Sequence, residues 1–268
     1  MSNQENVALH PVAILKQAGS FCRSNLKQLG LIYLIFNLPV TLMSFLPFMN
    51  TAAGQPTTLA QTAAFMLILV ISSWGYISLL LSANKIVSAQ TYTIKQSIQE
   101  VKNYFLKYLV LIICIVIFAA GFAIIVGILG TVVLPMLLKL NQTIGLIFGV
   151  ILLVAALLLV LAVALRWSLS ALVCVYETLG PLAALKQSCA LIKKHINPVV
   201  GTYGLIILVY LVGLLPVFIL GIFTDAGPDL MSPVNIVTTL YIFLMNIILV
   251  PFWTMSNVVL YKKLKEIL

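Results

Sequence analysis

Six stretches of this chain contain no Asp, Glu, Lys or Arg, and each is long enough to cross a bilayer as a helix. They run Leu29–Met49, Leu59–Asn84, Tyr108–Leu138, Thr143–Leu165, Val199–Phe223 and Val234–Tyr261. A hydrocarbon core about 30 Å thick is spanned by ~20 apolar residues in a helix, and longer stretches fit by tilting or by resting their ends in the interface. Backbone in lipid must satisfy its own hydrogen bonds, so such stretches become helices. Charged residues make up 8% of the 268 residues, against about a quarter in a soluble domain. That is too little polar surface to cover a water-soluble globule. The expected fold class is an all-α integral membrane protein with six transmembrane helices.

The punctuation pairs these helices into hairpins. Asn50–Thr58 holds Gly54 and Pro56, Leu138–Gln142 is a short polar turn, and Thr224–Pro233 carries Gly227, Pro228 and Pro233. Such residues mark tight connections, so spans 1–2, 3–4 and 5–6 are joined directly. The first span follows a long basic approach with no small-residue cleavage pattern after it, which reads as a retained helix and not a signal peptide.

Orientation follows from the cations, because Lys and Arg beside a span resist translocation. Lys16, Arg23, Lys27, Lys85, Lys95, Lys102, Lys107, Arg166, Lys186, Lys193, Lys194, Lys262, Lys263 and Lys265 fall on the side of both termini, and Lys139 falls on the other. Both termini are therefore expected in the cytoplasm, with Asp225 and Asp229 in the last external loop. The net charge of +9 is then a membrane-facing belt, and the chain is not expected to bind nucleic acid.

A threefold internal repeat organises that belt. Val12-Ala-Ile-Leu-Lys-Gln, Thr91-Tyr-Thr-Ile-Lys-Gln and Leu182-Ala-Ala-Leu-Lys-Gln align on their lysines. Apolar or small residues recur at offsets −4, −1, +3, +6 and +10 from each lysine, and a second cation recurs at +7 as Arg23, Lys102 and Lys193. That spacing is one stripe of an amphipathic helix with a basic face beside it. Copies one and three also share Pro11-x-Ala13 and Pro181-x-Ala183, with proline suited to a first helical turn. Residues 1–8 form a polar tail, and the repeats cover 9–90, 91–178 and 179–268, each an interfacial helix followed by a transmembrane hairpin. Two crossings per copy keep the orientation, so the repeats are of the parallel type. A weaker echo runs through even-numbered spans: Trp167-Ser-x-Ser170-x-x-Val173 and Trp253-Thr-x-Ser256-x-x-Val259, with Tyr176 and Tyr261 beyond. Mitochondrial carriers share a threefold hairpin plan, but their acidic signature position is Ala13 and Ala183 here, which excludes that family.

The stretch from Arg166 to Lys193 contains Arg166, Glu177, Gly180-Pro181 and Ala184-Leu-Lys-Gln-Ser188 in that order. It resembles the recurring core of a group of bacterial membrane proteins that includes the membrane domain attached to some glycerophosphodiester phosphodiesterases and the YciC-like inner-membrane proteins. The resemblance implies a polytopic protein of the bacterial inner membrane and implies no chemistry. The stretch departs from the phosphodiesterase fusions in that no attached soluble catalytic domain is expected.

The candidate site residues are the paired cations Lys16 with Arg23, Lys95 with Lys102, and Lys186 with Lys193. Each pair sits about 10 Å apart on one helix face and is placed to meet phospholipid headgroups. Arg166 and Glu177 form a second candidate, since ionisable groups near membrane depth are often functional. Eleven residues separate them, or about 16 Å of helix, so they are not expected to pair; Glu177 is expected to brace the Gly180-Pro181 turn. Gly145-x-x-x-Gly149 allows close helix contact. Cys22, Cys114, Cys174 and Cys189 have no paired spacing, and His10 and His195 are the only histidines, so no disulfide framework, zinc site, metal or cofactor is expected. No phosphate loop or nucleophile elbow is present. The expectation is a non-enzymatic protein whose partners are membrane phospholipids and which organises or senses lipid at the cytoplasmic leaflet. The alternative is a small transporter or lipid translocase with a polar path between the repeats, lined by Asn37, Asn246 or Arg166.

Overall fold

A computed structural model describes residues 9–44, 59–91, 93–128, 131, 135–136, 139, 142–223 and 233–267. The polar tail, Pro47, the Gly54–Pro56 turn, Gly130, Asn141 and the Asp225–Asp229 loop lie outside them. The described chain is helical, in the order α1 (Pro11–Ser44), α2 (Leu59–Val87), α3 (Ile94–Glu100), α4 (Lys102–Ile128), α5 (Gln142–Trp167), α6 (Ser170–Tyr176), α7 (Pro181–Lys194), α8 (Ile196–Phe223) and α9 (Pro233–Glu266). No strand occurs among the described residues. Six helical segments are long and apolar enough to cross a membrane: Pro11–Met43, Leu59–Val87, Lys102–Ile128, Gly145–Tyr176, Ile196–Leu220 and Pro233–Glu266. The protein is an all-helical integral membrane protein.

The segments before the odd-numbered spans join them in three different ways. Pro11–Ser44 is one unbroken helix, so its basic segment and first span are continuous, where a separate interfacial helix was expected. Nothing between Arg23 and Gly30 forbids a helix: Ser-Asn-Leu-Lys-Gln-Leu includes no proline, and the Ser24 and Asn25 side chains bond back to the carbonyls of Ser20 and Phe21. The second segment is jointed at Val101, where both Tyr104 and Phe105 donate their N–H to the Val101 carbonyl. The third ends at Lys194 and resumes at Ile196. Pro198 explains that joint, because it has no N–H for the carbonyl four residues back and its ring crowds that turn.

The chain divides into two compact units, Met1–Phe105 with His195–Leu268, and Leu106–Lys194. In the first, α9 and α2 both pack extensively on α1, and α8 packs on α1 and α9. Its core is densest toward one end of the helices, where Ile14, Ala18 and Cys22 of α1, Ile77–Ala83 of α2, Val199, Tyr203 and Ile206 of α8, and Thr254–Tyr261 of α9 are buried, and it continues through Leu29, Ile32 and Tyr33 of α1 to Gln61 and Ala64 of α2 and Phe243 of α9. The opposite ends present Leu42, Phe65, Met66, Leu215 and Leu240 outward, as lipid-facing helix does.

Two helix contacts set how closely these elements approach. A Cβ on Gly75 would lie 2.6 Å from Cβ of Phe36, and one on Gly201 would lie 2.6 Å from Cγ of Pro11. Small residues at such crossings let backbones close on one another without lipid between them.

In the second unit, α6 packs on α7, and α7 packs on α5. Leu172–Val175 of α6 are buried, as are Ala184, Leu185, Ser188, Leu191 and Ile192 of α7. The long helices α4 and α5 are otherwise open along most of their length, with Leu111 the buried residue of α4.

Candidate functional site: a basic face, a buried polar seam and three apolar grooves

All six predicted headgroup contacts are exposed: Lys16 and Arg23 on α1, Lys95 and Lys102 on either side of the Val101 joint, and Lys186 and Lys193 on α7. The buried seam of these segments differs from the expected stripe. Offset +2 is Ala18, Ser97 and Ser188, each 0% exposed, and offset +6 is Cys22, Val101 and Ile192, also buried. Offset −4, part of the stripe of apolar or small residues, is outward in all three, with Val12 55% and Leu182 72% exposed. At about 100° per residue, the seam lies roughly 130° round the helix from the cations, and the remaining apolar set lies roughly 70° from them. On α1 and α7 the apolar set is therefore a shoulder between a basic face and a packed face.

The seam is polar in two of the three segments, and its polar groups are paired. Ser97 meets Ser82 of α2 with 2.9 Å between the two hydroxyl oxygens, and Ser188 donates to the Arg166 carbonyl at 2.7 Å. Thr93 caps α3: its hydroxyl accepts from the Gln96 N–H and its own N–H donates to the Gln96 side chain. Lys85 pairs with Glu100 at 2.5 Å across the same α2–α3 corner. Lys262 of α9 donates to the Asn84 carbonyl at 3.3 Å and to the Ser88 hydroxyl.

Glu177 and Arg166 are not brought together. Arg166 is exposed, while the Glu177 carboxylate accepts from Gln187 Nε2 of α7 at 2.5 Å. The turn needs this bond, because Thr178 sits at φ 53°, a left-handed conformation that is strained for a β-branched residue. The Thr178 carbonyl accepts from Lys107 Nζ at 3.0 Å.

A polar junction inside the bundle was not singled out in the sequence. Tyr203 of α8 donates to Asn257 Oδ1 of α9 at 2.8 Å, and Asn257 also hydrogen-bonds the Tyr76 hydroxyl of α2. Asn257 lies in the segment after Trp253. The matching segments after Trp74 and Trp167 are equally enclosed: Ile77–Ala83, and Leu169, Ser170 and Leu172–Val175. Trp74-x-x-x-Ser78 is one residue longer than the Trp-x-x-Ser pattern at Trp167 and Trp253. Each tryptophan rests on aromatic rings of its own unit: Trp74 on Phe105 at 5.1 Å, Trp167 on Phe118 at 4.8 Å, and Trp253 on Tyr203 and Tyr210 at 5.7 and 5.8 Å.

Three surface grooves open beside these elements, with linings that are almost wholly apolar. One of about 390 Å³ lies between α8 and α9, lined by Ile207, Tyr210, Leu211, Val250 and Trp253. A second of about 340 Å³ lies where α1 meets α8 and α9, with Arg23 on its wall. A third of about 400 Å³ runs between α4 and α5 and includes Phe118, Phe122 and Trp167. Of the three residues expected to line a path, Asn37 donates to the Tyr33 carbonyl at 3.1 Å, Asn246 hydrogen-bonds the Tyr33 hydroxyl, and Arg166 is exposed. The four cysteines are free. No cluster of metal-ligating side chains occurs among the described residues.

No protein-family model, curated protein or solved structure matches the chain.

Proposed function

We propose that the protein binds and organises phospholipid at the cytoplasmic leaflet through the basic faces of its three amphipathic segments, without catalysing a reaction. In this reading the segments are three copies of one unit, both termini are cytoplasmic, and the membrane is the bacterial inner membrane. The observation that carries it is the three-sided character of the basic part of α1 and of α7. Their cations are exposed, their seam is packed into protein, and an apolar shoulder with Val12 and Leu182 outward lies between the two. A bilayer interface matches that arrangement, with headgroup phosphates beside the cations and acyl chains beside the shoulder. Each Lys or Arg near an anionic leaflet contributes about 1 kcal/mol, so six act together as a substantial anchor. Water alone would leave the shoulder exposed with no compensation.

The test is the joint substitution of Lys16, Lys95 and Lys186 by Glu. Anionic phospholipid that co-purifies with the wild-type chain in mild detergent should be lost from the variant, as counted by mass spectrometry. Unchanged lipid content in a folded variant would sink the reading.

A further inference from the structure

The chain has two arginines, Arg23 and Arg166, among its 15 basic residues. Arg23 differs from the lysines of its helix in what lies beside it. It shares a groove of about 340 Å³ with Gly19, Cys22 and Leu26 of α1, Ile248 and Phe252 of α9, and neighbouring apolar side chains of α8 and α9. Arg23 is the groove's charged wall residue, and it is exposed. The groove is within the size range of sites that enclose organic ligands, about 300–1,000 Å³. A wall of Leu, Ile and Phe with a single guanidinium matches a molecule with a hydrocarbon chain and one anionic group. The planar guanidinium suits that anion better than an ammonium, because it meets two phosphate oxygens at once.

Gly19 keeps this groove open. A Cβ there would approach Phe252 at 3.8 Å, an ordinary contact, so the space beside Gly19 can be filled without moving a backbone. Arg166 of the second unit is exposed and immediately precedes Trp167, which lines the apolar groove between α4 and α5. Arg23 lines a chain-sized apolar groove itself, whereas Arg166, Lys16, Lys27 and Lys95 are exposed and line none of the three grooves.

We propose that the Arg23 groove is a discrete seat for one anionic phospholipid, whose phosphate is held by the Arg23 guanidinium and one of whose acyl chains lies along Leu26, Ile248 and Phe252. The proposal rests on the reading that the basic face meets the cytoplasmic leaflet, and adds a stoichiometric site to a diffuse one.

The experiment is native mass spectrometry of the full chain in mild detergent, delipidated and titrated with phosphatidylglycerol. The wild-type chain should retain one tightly held lipid. Arg23→Gln should weaken that binding about tenfold, the scale of one charge-assisted hydrogen bond, and Arg23→Lys should fall between. Gly19→Leu should abolish it by filling the groove with Arg23 intact. Lys27→Gln, on the same helix but outside the groove, should leave it unchanged. Equal losses in Arg23→Gln and Lys27→Gln, with none in Gly19→Leu, would overturn the seat while leaving the belt standing. No loss even in the Lys16, Lys95 and Lys186 charge-reversal variant would overturn the belt itself.

Discussion

The Tyr203 hydroxyl donates to Asn257 Oδ1 at 2.8 Å in the interior of the helical bundle. Asn257 also meets Tyr76, so one amide ties α2, α8 and α9 together. A buried amide costs free energy unless it is bonded, and here the bonds come from two different helices. The amide therefore specifies which helices pack, and where along their length.

Removing the amide should show this directly. Asn257→Ala removes the bonds to Tyr203 and Tyr76 and should lower stability by about 1–3 kcal/mol. Tyr203→Phe removes a single bond and should cost about 0.6–2 kcal/mol, the range for interhelical bonds in membranes. Adding Tyr203→Phe to Asn257→Ala should cost less than it does alone, because the bond is already gone. Thermal unfolding in detergent reads all three, and strict additivity would show that the bond contributes nothing.

The glycine contacts make a paired prediction. At Gly75 a new Cβ would meet Cβ and Cγ of Phe36 at 2.6 and 2.9 Å, whereas at Gly213 it would meet the Met245 Sδ at 2.7 Å. Phe36 cannot withdraw its Cβ without moving the α1 backbone, but the methionine tip can swing aside. Gly75→Ala should therefore cost about 1–3 kcal/mol by overpacking, and Gly213→Ala should change little. Phe36→Ala should fail to rescue Gly75→Ala, because the closest atom remains. Melting temperatures of the three variants check the order.

The spans and the cations were legible in the sequence for the same reason: charge is rare, so its absence outlines the helices and its presence outlines one face. The packed seam was not legible. In a chain with 62% hydrophobic residues, helices are apolar on several faces, and the contrast that normally marks the buried side disappears. The seam is instead made by Ala18, Ser97 and Ser188, which are small enough to allow close approach and, as serines, find partners at Ser82 and the Arg166 carbonyl. A hydrophobic pattern passes over such positions. The helix connection at Arg23–Gly30 was hidden differently: it carries polar residues, yet each supports the helix through a local bond or points outward. Asn257 resembled the other intramembrane asparagines until the two tyrosines, 54 and 181 residues away in sequence, were seen to converge on it.

Strain at the α6–α7 turn yields a stabilising substitution. Thr178 occupies φ 53°, and its contribution to the site is its carbonyl, which accepts from Lys107. Glycine keeps that carbonyl and adopts the left-handed conformation without a Cβ clash. Thr178→Gly should raise stability by about 0.5–1 kcal/mol, the scale of relieving one left-handed residue less glycine's extra unfolded-state entropy. Thr178→Val, which keeps the branch, should bring no gain. Denaturation in detergent distinguishes the two, and equal stabilities would remove the strain argument.

Sidedness provides the broadest test, because headgroup contact at the cytoplasmic leaflet requires all three basic segments on one side. Single cysteines at positions 16, 95 and 186 would be introduced after replacing Cys22, Cys114, Cys174 and Cys189; Cys22 and Cys174 are buried, so small substitutes such as Ala or Ser suit those sites. Lys16, Lys95 and Lys186 are exposed, so new thiols there should react readily once a reagent reaches them. An impermeant maleimide added to intact cells should label none, and labelling should appear at all three when the membrane is opened. A cysteine at Lys139, the cation expected on the opposite side, should behave in reverse. Labelling of position 95 from outside with 16 and 186 protected would break the parallel arrangement of the repeats, since two crossings per copy return every segment to the same side.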